Sequence, residues 1–195
     1  MRGSLFLRWM RRLLFIAGAL AISYVALTLL HAKIYQESAS NALEKQIYAQ
    51  EQHNAGLSQA AVKEGDVLGR IEIPRLGVKV AILEGTTTQT LRLGVGHIEG
   101  TALPGEPGNI GIAGHRDTYF RALKNIRTND EIQIQTATGL SSYEVDSEQI
   151  VAPDDTGVLA PSAGSAITLV TCYPFYFIGA APERFVVHAR RAKLK

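Results

Sequence analysis

The distribution of apolar residues changes twice along the chain. Residues 13–30 form an unbroken stretch of 18 uncharged, mostly apolar residues, and residues 31–65 are polar and rich in Ala, Gln and Glu. From residue 66 onward, short apolar runs are separated by Gly, Pro, Asn and Asp. This pattern predicts an apolar helix, a polar linker and one globular domain over residues 66–195.

The globular part contains eight runs with the length and composition of β-strands. Short helical turns are predicted near residues 89–93 and 119–125. Eight short strands at this spacing predict an all-β domain, either a closed barrel or a sandwich, and the pattern does not separate the two. The predicted strands cover residues 68–73, 78–83, 94–98, 109–113, 131–136, 143–151, 166–171 and 185–190.

The apolar stretch 13–30 has the length of a membrane span. At the helical rise of about 1.5 Å per residue it covers roughly 27 Å, close to a bilayer core of about 30 Å. Four arginines lie within residues 1–12, with Trp9 as a candidate interfacial anchor, so the positive-inside rule places residues 1–12 in the cytoplasm and the rest outside. A cleaved signal peptide is the alternative, although its apolar region is usually shorter, about 7 to 15 residues. Both interpretations export the globular domain.

Residues 31–65 are predicted to form a stalk. Their helix propensity is good as far as Gly56, but the apolar stripe is too thin to pack against a core. We therefore expect a semi-rigid helical spacer that holds the domain away from the membrane.

Composition, net charge and cysteine count limit the classes of function that this protein can have. With 46% hydrophobic and 19% charged residues, the 195-residue chain has the composition of a globular protein, and its net charge of +2 gives no reason to expect a nucleic-acid partner. Cys172 is the single cysteine, so no disulfide can form within the chain. An unpaired cysteine in an exported protein is either an inert buried thiol or a reactive one.

Three reactive side chains lie at the ends of predicted strands. Cys172 follows one apolar run, Arg184 opens the next, and His115 ends an earlier run. A catalytic thiol needs a base or cation beside it and donors for the oxyanion that forms on the attacked carbonyl. Position alone leaves other interpretations open, because a buried thiol, a strand-capping histidine and a surface arginine are all common.

The residues around these three positions resemble the sortase family. Its Thr-Leu-x-Thr-Cys signature is complete at residues 168–172, Gly114-His115-Arg116 precedes it, and Arg184 follows at family-like spacing. The similarity covers residues 66–195, and the stretch from Cys172 to Phe185 looks most like class D sortases. The resemblance implies an eight-stranded sortase-type β-barrel.

The resemblance also implies a function, that of a membrane-anchored, extracytoplasmic cysteine transpeptidase. Cys172 would attack the threonyl carbonyl of a Leu-Pro-x-Thr-Gly-like or Leu-Pro-x-Thr-Ala-like sorting signal, with His115 as acid/base and Arg184, preferred over Arg116, as oxyanion stabiliser. The expected partners are surface proteins or pilins that carry the signal, and an amine acceptor, either a peptidoglycan precursor or a pilin lysine. This chemistry requires no cofactor, and the sequence leaves calcium modulation open. No Cys-x-x-Cys or His-x-x-x-His spacing suggests a metal site.

Four further residues are candidate substrate contacts: His97, Thr171, Tyr173 and Phe175. The segment between Cys172 and Arg184 contains four aromatic residues, as expected for a loop that grips an extended peptide and excludes water. His97 also fits a structural role. Two alternatives stay open, an L,D-transpeptidase-like peptidoglycan cross-linking enzyme and a catalytically inactive peptide-binding module.

Overall fold

The computed structural model describes residues 9–30, except 11, 14, 21 and 29, and residues 62–192. The chain divides into two units, Met1–Tyr35 and Gln36–Lys195. Most of the predicted stalk, residues 31–61, lies outside the described residues, as do residues 1–8 of the predicted cytoplasmic segment.

The described residues of the first unit are helical from position 9 to position 30. Many of their large apolar side chains are exposed, among them Phe15, Leu20 and Ile22. Within the described part of the chain, no helix combines the length and the apolar character that a membrane crossing needs.

The second unit is a closed barrel of eight strands in the order β1-β2-β3-β4-β7-β8-β6-β5, so the barrel prediction is confirmed over the sandwich. One short α-helix, α1, spans Thr88–Leu93, and 3-10 helices span Pro74–Leu76, Arg121–Asn125 and Thr156–Leu159. The strands are β1 Val67–Ile73, β2 Val78–Glu84, β3 Val95–His97, β4 Asn109–Gly114, β5 Glu131–Thr136, β6 Gly139–Val151, β7 Ala166–Tyr173 and β8 Glu183–Arg191.

Alternation of side chains explains the barrel interior. In β5, Ile132 and Ile134 are fully buried while the residues between them are partly exposed, and Ile167 and Leu169 of β7 occupy the same core. Such a period of two is expected where one face of a strand lies in a core and the other faces out.

Most predicted strands lie within two residues of the observed ones, and the largest difference is at β6. This strand begins at Gly139, four residues before the predicted start, because it pairs with β5 directly after a tight turn that joins Thr136 to Gly139. Residues 139–142 are polar or exposed, so hydrophobic patterning gave no signal for them.

Three neighbouring strands determine where the candidate site lies. β7 is central, pairing in parallel with β4 and antiparallel with β8. The carboxyl ends of β4 and β7 therefore meet the amino end of β8 at one edge of the barrel.

Candidate active site

Cys172 and Arg184 are direct partners in the β7–β8 ladder. Opposite residues of an antiparallel pair project to the same face, with Cβ atoms about 4.5 to 5.5 Å apart. Both residues are half-buried, so both side chains remain accessible from outside. This pairing places a cationic residue opposite the single cysteine of the chain.

His115 lies at the same edge. It directly follows Gly114, the last residue of β4, and Gly114 is paired with Thr171 in the parallel β4–β7 ladder. The next residue on each strand is therefore His115 on one side and Cys172 on the other. His115 is also half-buried, which leaves its imidazole open to a ligand.

Close packing positions the backbone at His115. A Cβ atom added to Gly114 would lie 2.6 Å from Cδ2 of Phe120, whose side chain is fully buried. The Phe120 amide donates a hydrogen bond to the His115 carbonyl (3.1 Å). The hydroxyl of Tyr119 donates to the Leu93 carbonyl at the end of α1 (3.1 Å), which ties this turn to a second element.

The Arg184 guanidinium is already partly oriented by backbone carbonyls of the residues that precede it. Its Nη1 donates to the carbonyl of Glu183 (3.0 Å) and makes a longer contact with that of Ala181 (3.4 Å). A guanidinium has five N–H donors in a planar fork, so these bonds use only part of its capacity. The arrangement can present the remaining donors to an oxyanion.

The β7–β8 loop, residues 174–182, covers the site edge with an aromatic base and an exposed apolar tip. Tyr173 and Phe175 pack around the buried ring of Phe185, with ring centroids 6.0 Å apart for Tyr173–Phe175 and 5.3 Å apart for Phe175–Phe185. At the tip, Tyr176 and Ile178 are 72% and 96% exposed. The base therefore belongs to the core, while the tip is free to contact a ligand.

Two basic side chains bind this loop, which sequence reasoning did not predict. The Lys124 ammonium donates to the Tyr176 hydroxyl (2.6 Å), and this bond lowers the pKa of Tyr176. Arg116 donates to the carbonyls of Phe177 (2.8 Å) and Gly179 (3.0 Å). Arg116 thus binds the loop backbone, while Arg184 lies beside the thiol.

His97, a candidate substrate contact, lies in a buried polar network. Its Nδ1 is 2.8 Å from Oε2 of Glu84, and its Nε2 donates to the Ala102 carbonyl (3.1 Å). The Thr101 hydroxyl lies 3.0 Å from the same Nε2 and accepts a hydrogen bond from the Gly111 amide of β4 (3.0 Å). With only 2% exposure and both ring nitrogens engaged, His97 connects β2 and β3 to β4.

Thr171, the fourth residue of the five-residue motif, has a clear structural contact. Its buried hydroxyl donates to the Gly114 carbonyl (2.7 Å), which joins the ends of β4 and β7. The bond spans the two residues that precede His115 and Cys172. Thr171 therefore stabilises the register that brings the histidine and the cysteine together.

The outer face of β7 and β8 continues away from Cys172 and Arg184. Val170 pairs with Val186, and Thr168 pairs with His188.

The Thr168–His188 pair also makes a side-chain contact. The Thr168 hydroxyl is 3.1 Å from Nδ1 of His188, and burial lowers the pKa of that histidine. The 3-10 helix Thr156–Leu159 covers this end, because the Val158 carbonyl accepts a hydrogen bond from Thr168 (3.3 Å). The middle of this face, at Thr168 and Val186, is thus fully buried.

Among residues 62–192 and the described helical residues before them, no cluster of three or more His, Cys, Asp or Glu side chains is arranged to hold a metal ion.

Three residues with contacts described above were not predicted from the sequence: Glu84, Thr101 and Lys124. Glu84 and His97 are 13 positions apart in the chain but are direct partners in the parallel β2–β3 ladder.

Known proteins have sequences and folds similar to those of this chain. The sortase domain profile matches residues 71–192. The chain is 35% identical over 128 residues to sortase D of Bacillus subtilis, which covers 65% of this chain and 65% of the relative, just under two thirds of its length.

Solved structures show the same similarity. A sortase D5 transpeptidase of Clostridium perfringens is 31% identical with a TM-score of 0.66, and the match covers 83% of this chain and 98% of that one. Clostridium perfringens sortase C, solved with the C-terminal cell wall sorting motif, is 30% identical with a TM-score of 0.64 over 80% of this chain and 87% of that one.

The profile covers most of the barrel, including the complete motif at residues 168–172 and the β4, β7 and β8 strands that surround the thiol. The sequence, the strand topology and the strand register are all consistent with the family that the profile describes. The chain therefore belongs to the sortase family.

Proposed function

We propose that this protein is a membrane-anchored, extracytoplasmic cysteine transpeptidase. It cleaves a Leu-Pro-x-Thr-Gly-like or Leu-Pro-x-Thr-Ala-like sorting signal after threonine and transfers the threonyl group to an amine. The observation that carries this proposal is the strand register, in which Cys172 faces Arg184 and the Gly114–Thr171 pair brings His115 level with Cys172.

Acylation of the enzyme is the first half of the reaction. The thiolate Sγ of Cys172 forms a bond to the threonyl carbonyl carbon, and the carbonyl electron pair moves to oxygen. Arg184 stabilises the resulting oxyanion with its free guanidinium donors. When the oxyanion collapses, the bond to the following residue breaks, and His115 protonates the departing amine. A thioester between threonine and Cys172 remains.

Deacylation repeats these steps with a new amine. The acceptor nitrogen attacks the thioester carbon, and His115 removes the proton that the nitrogen gives up. The carbon–sulfur bond then breaks, and the thiolate leaves with the electron pair. An amide bond has formed and the enzyme is regenerated without any change of oxidation state.

The surroundings of the site suit a peptide substrate. The apolar pair Val170 and Val186 follows Cys172 and Arg184 on the same strand face, with Val186 fully buried, and the loop that joins the two strands has an exposed apolar tip. Apolar surroundings exclude water, which favours aminolysis over hydrolysis of the thioester. The proposed partners are surface proteins or pilins with a sorting signal, and a peptidoglycan precursor or pilin lysine as acceptor.

The predicted substrate contacts differ in how directly they would act. Tyr173 and Phe175 lie at the base of the loop and would shape the peptide groove from beneath. The internal hydrogen bonds of His97 and Thr171 favour an indirect role, in which both support the position of β4.

The membrane anchor is supported by residues 13–30. Their described large apolar side chains are exposed along a helix, and an exposed apolar helical surface is favourable in lipid. Extraction of membranes from expressing cells at alkaline pH tests this: the full-length chain should remain with the membrane. Release of a shorter protein lacking residues 1–30 would instead support signal-peptide cleavage.

The catalytic proposal is tested with a library of fluorescent sorting peptides and the full-length protein in detergent. We expect cleavage after threonine and, in intact mass spectra, an acyl adduct on Cys172. Cys172→Ala should abolish both while leaving the fold intact, because Ala is also a small residue at a strand end.

Two other outcomes would replace the proposal. Peptide binding without an adduct would indicate a catalytically inactive binding module. Adducts with peptidoglycan stem peptides but not with sorting peptides would indicate an L,D-transpeptidase-like activity.

A further inference from the structure

Arg116 connects the turn after β4 to the β7–β8 loop. Its Nη2 donates to the carbonyls of Phe177 (2.8 Å) and Gly179 (3.0 Å), which are 61 and 63 positions further along the chain. The guanidinium carbon also lies 6.0 Å from the centroid of the Phe177 ring. One side chain, next in sequence to His115, thus holds two backbone groups of the loop.

Burial does little to hold this part of the loop. Tyr176, Phe177 and Ile178 are 72%, 45% and 96% exposed, so their side chains contribute few packing contacts. Segments with little buried apolar surface open at low free-energy cost. The polar contacts of Arg116 and Lys124 are therefore the main restraints on the tip among the described residues.

The Arg116 guanidinium has one buried nitrogen without a partner among the described residues. Its Nη1 is buried and has no hydrogen-bond partner within the described part of the chain. Buried polar groups without partners are rare and unfavourable, and more so when they are charged. In the closed arrangement this nitrogen is enclosed, so the two bonds of Nη2 to the loop must offset its cost.

We propose that Arg116 is a positioning residue that holds the β7–β8 loop closed beside Cys172, and that the closed loop forms one wall of the site that binds the peptide. The role in peptide binding rests on the sortase activity proposed above. The role in loop closure does not, because the loop contacts join two parts of this chain.

Hydrogen exchange of the full-length protein in detergent, without peptide, tests loop closure. In Arg116→Ala, we expect amides of residues 175–181 to exchange at least tenfold faster than in the wild type, with amides of β4 and β7 unchanged. Arg116→Lys should give an intermediate rate, because an ammonium keeps the charge and can donate to a carbonyl but lacks the planar fork. Arg92→Ala, at an exposed arginine on α1, is the matched control and should exchange like the wild type.

Unchanged loop exchange in Arg116→Ala would overturn the proposal. If Arg116→Ala also accelerates amide exchange in β4, Arg116→Lys decides the question. Wild-type loop exchange in Arg116→Lys would overturn the proposal. Faster exchange limited to residues 175–181 in Arg116→Lys would support it.

Kinetics with the best peptide of the library test the role of the closed loop in peptide binding. We expect Arg116→Ala to raise KM at least tenfold while single-turnover acylation at saturating peptide falls by less than threefold. A large fall in acylation with normal KM would assign Arg116 to the chemistry and overturn a positioning role. If no peptide is cleaved even by the wild type, the proposed activity fails, while the exchange result still decides the loop contact.

Discussion

At the scale of single residues, the chemistry depends on which side chains share one face of β7 and β8. Cys172 and Arg184 do so because they are direct partners, and a shift of the register by one residue would move the thiol to the barrel interior. The half-buried guanidinium beside the thiol is already anchored to the Glu183 carbonyl. Its value therefore lies in its orientation as well as its charge.

Arg184→Lys should lower single-turnover acylation by about 10² to 10³, the usual cost of one lost oxyanion donor. Lysine keeps the charge but cannot hold the Glu183 carbonyl and present a fork of donors at the same time. Peptide binding should change much less. Arg190→Lys, at an exposed arginine of the same strand, is the control and should acylate normally. Near-normal acylation by Arg184→Lys would remove this arginine from the mechanism.

Gly114→Ala should disturb the site through packing. The added methyl would lie 2.6 Å from the buried Phe120 ring, so either the ring or the backbone before His115 must move. Overpacking of this kind typically costs about 1 to 3 kcal/mol of stability. Denaturant unfolding and acylation should both report the loss. Gly164→Ala, where an added Cβ meets nothing within 4 Å, should leave both unchanged; equal effects at the two positions would argue against a packing cause.

At the scale of elements, the turns at one end of the barrel are joined by an ion pair. Arg75 of the 3-10 helix Pro74–Leu76 makes a bidentate pair with Asp130, directly before β5, and also donates to the Asn125 carbonyl (2.6 Å). Asp130 accepts a further bond from the Arg127 amide (2.8 Å). The hydrogen bond from Arg75 is the main reason that the pKa of Asp130 lies below its usual value.

This shift gives a pH dependence with a definite sign. Because the carboxylate is favoured in the folded state, Asp130 contributes stability above its unfolded pKa of about 3.9, and the contribution is lost as pH falls through the lower folded value. Asp130→Asn should therefore unfold at lower denaturant than the wild type at pH 7, and the difference should shrink below about pH 4. Asp154→Asn, at an exposed position, should show no such convergence. A stability difference between Asp130→Asn and the wild type that stays constant with pH would exclude titration of Asp130 as its cause.

Strands and site residues differed in how well the sequence predicted them. Alternation located all eight strands because each contributes apolar residues to one core. The 3-10 helices Pro74–Leu76 and Thr156–Leu159 are too short to show a helical period, and they were not predicted. The Glu84–His97 pair was missed because it depends on the register of β2 and β3, which contacts between distant segments determine.

The residues nearest the thiol were predicted by motif, and the reason that they meet is topological. Nothing in the spacing of His115, Cys172 and Arg184 shows that β4, β7 and β8 are neighbours. The loop contact of Arg116 could not be predicted from the sequence either, because its acceptors are backbone carbonyls, which every residue has.

At the scale of the whole molecule, the barrel contains every residue that the proposed mechanism uses. The β1–β2 pairing is extended just before β1, where the Gly65 amide donates to the Glu84 carbonyl (2.9 Å) and the Glu84 amide donates to the Asp66 carbonyl (2.9 Å). Glu84 is also the buried partner of His97. Residues 65 and 66 therefore support the network behind β4, although they precede the first strand.

A truncated protein that begins at Ala61 should be soluble, unfold cooperatively and acylate at the full-length rate, because every residue of the proposed mechanism lies after residue 61. Beginning instead at Val67 removes both backbone bonds to Glu84, and at about 0.5 to 1.5 kcal/mol each the free energy of unfolding should fall by about 1 to 3 kcal/mol. Denaturant unfolding and single-turnover acylation of the two proteins and the full-length chain provide the comparison. If the protein that begins at Ala61 folds cooperatively but never forms the Cys172 adduct, residues 1–60 take part in catalysis and the barrel alone is not the enzyme.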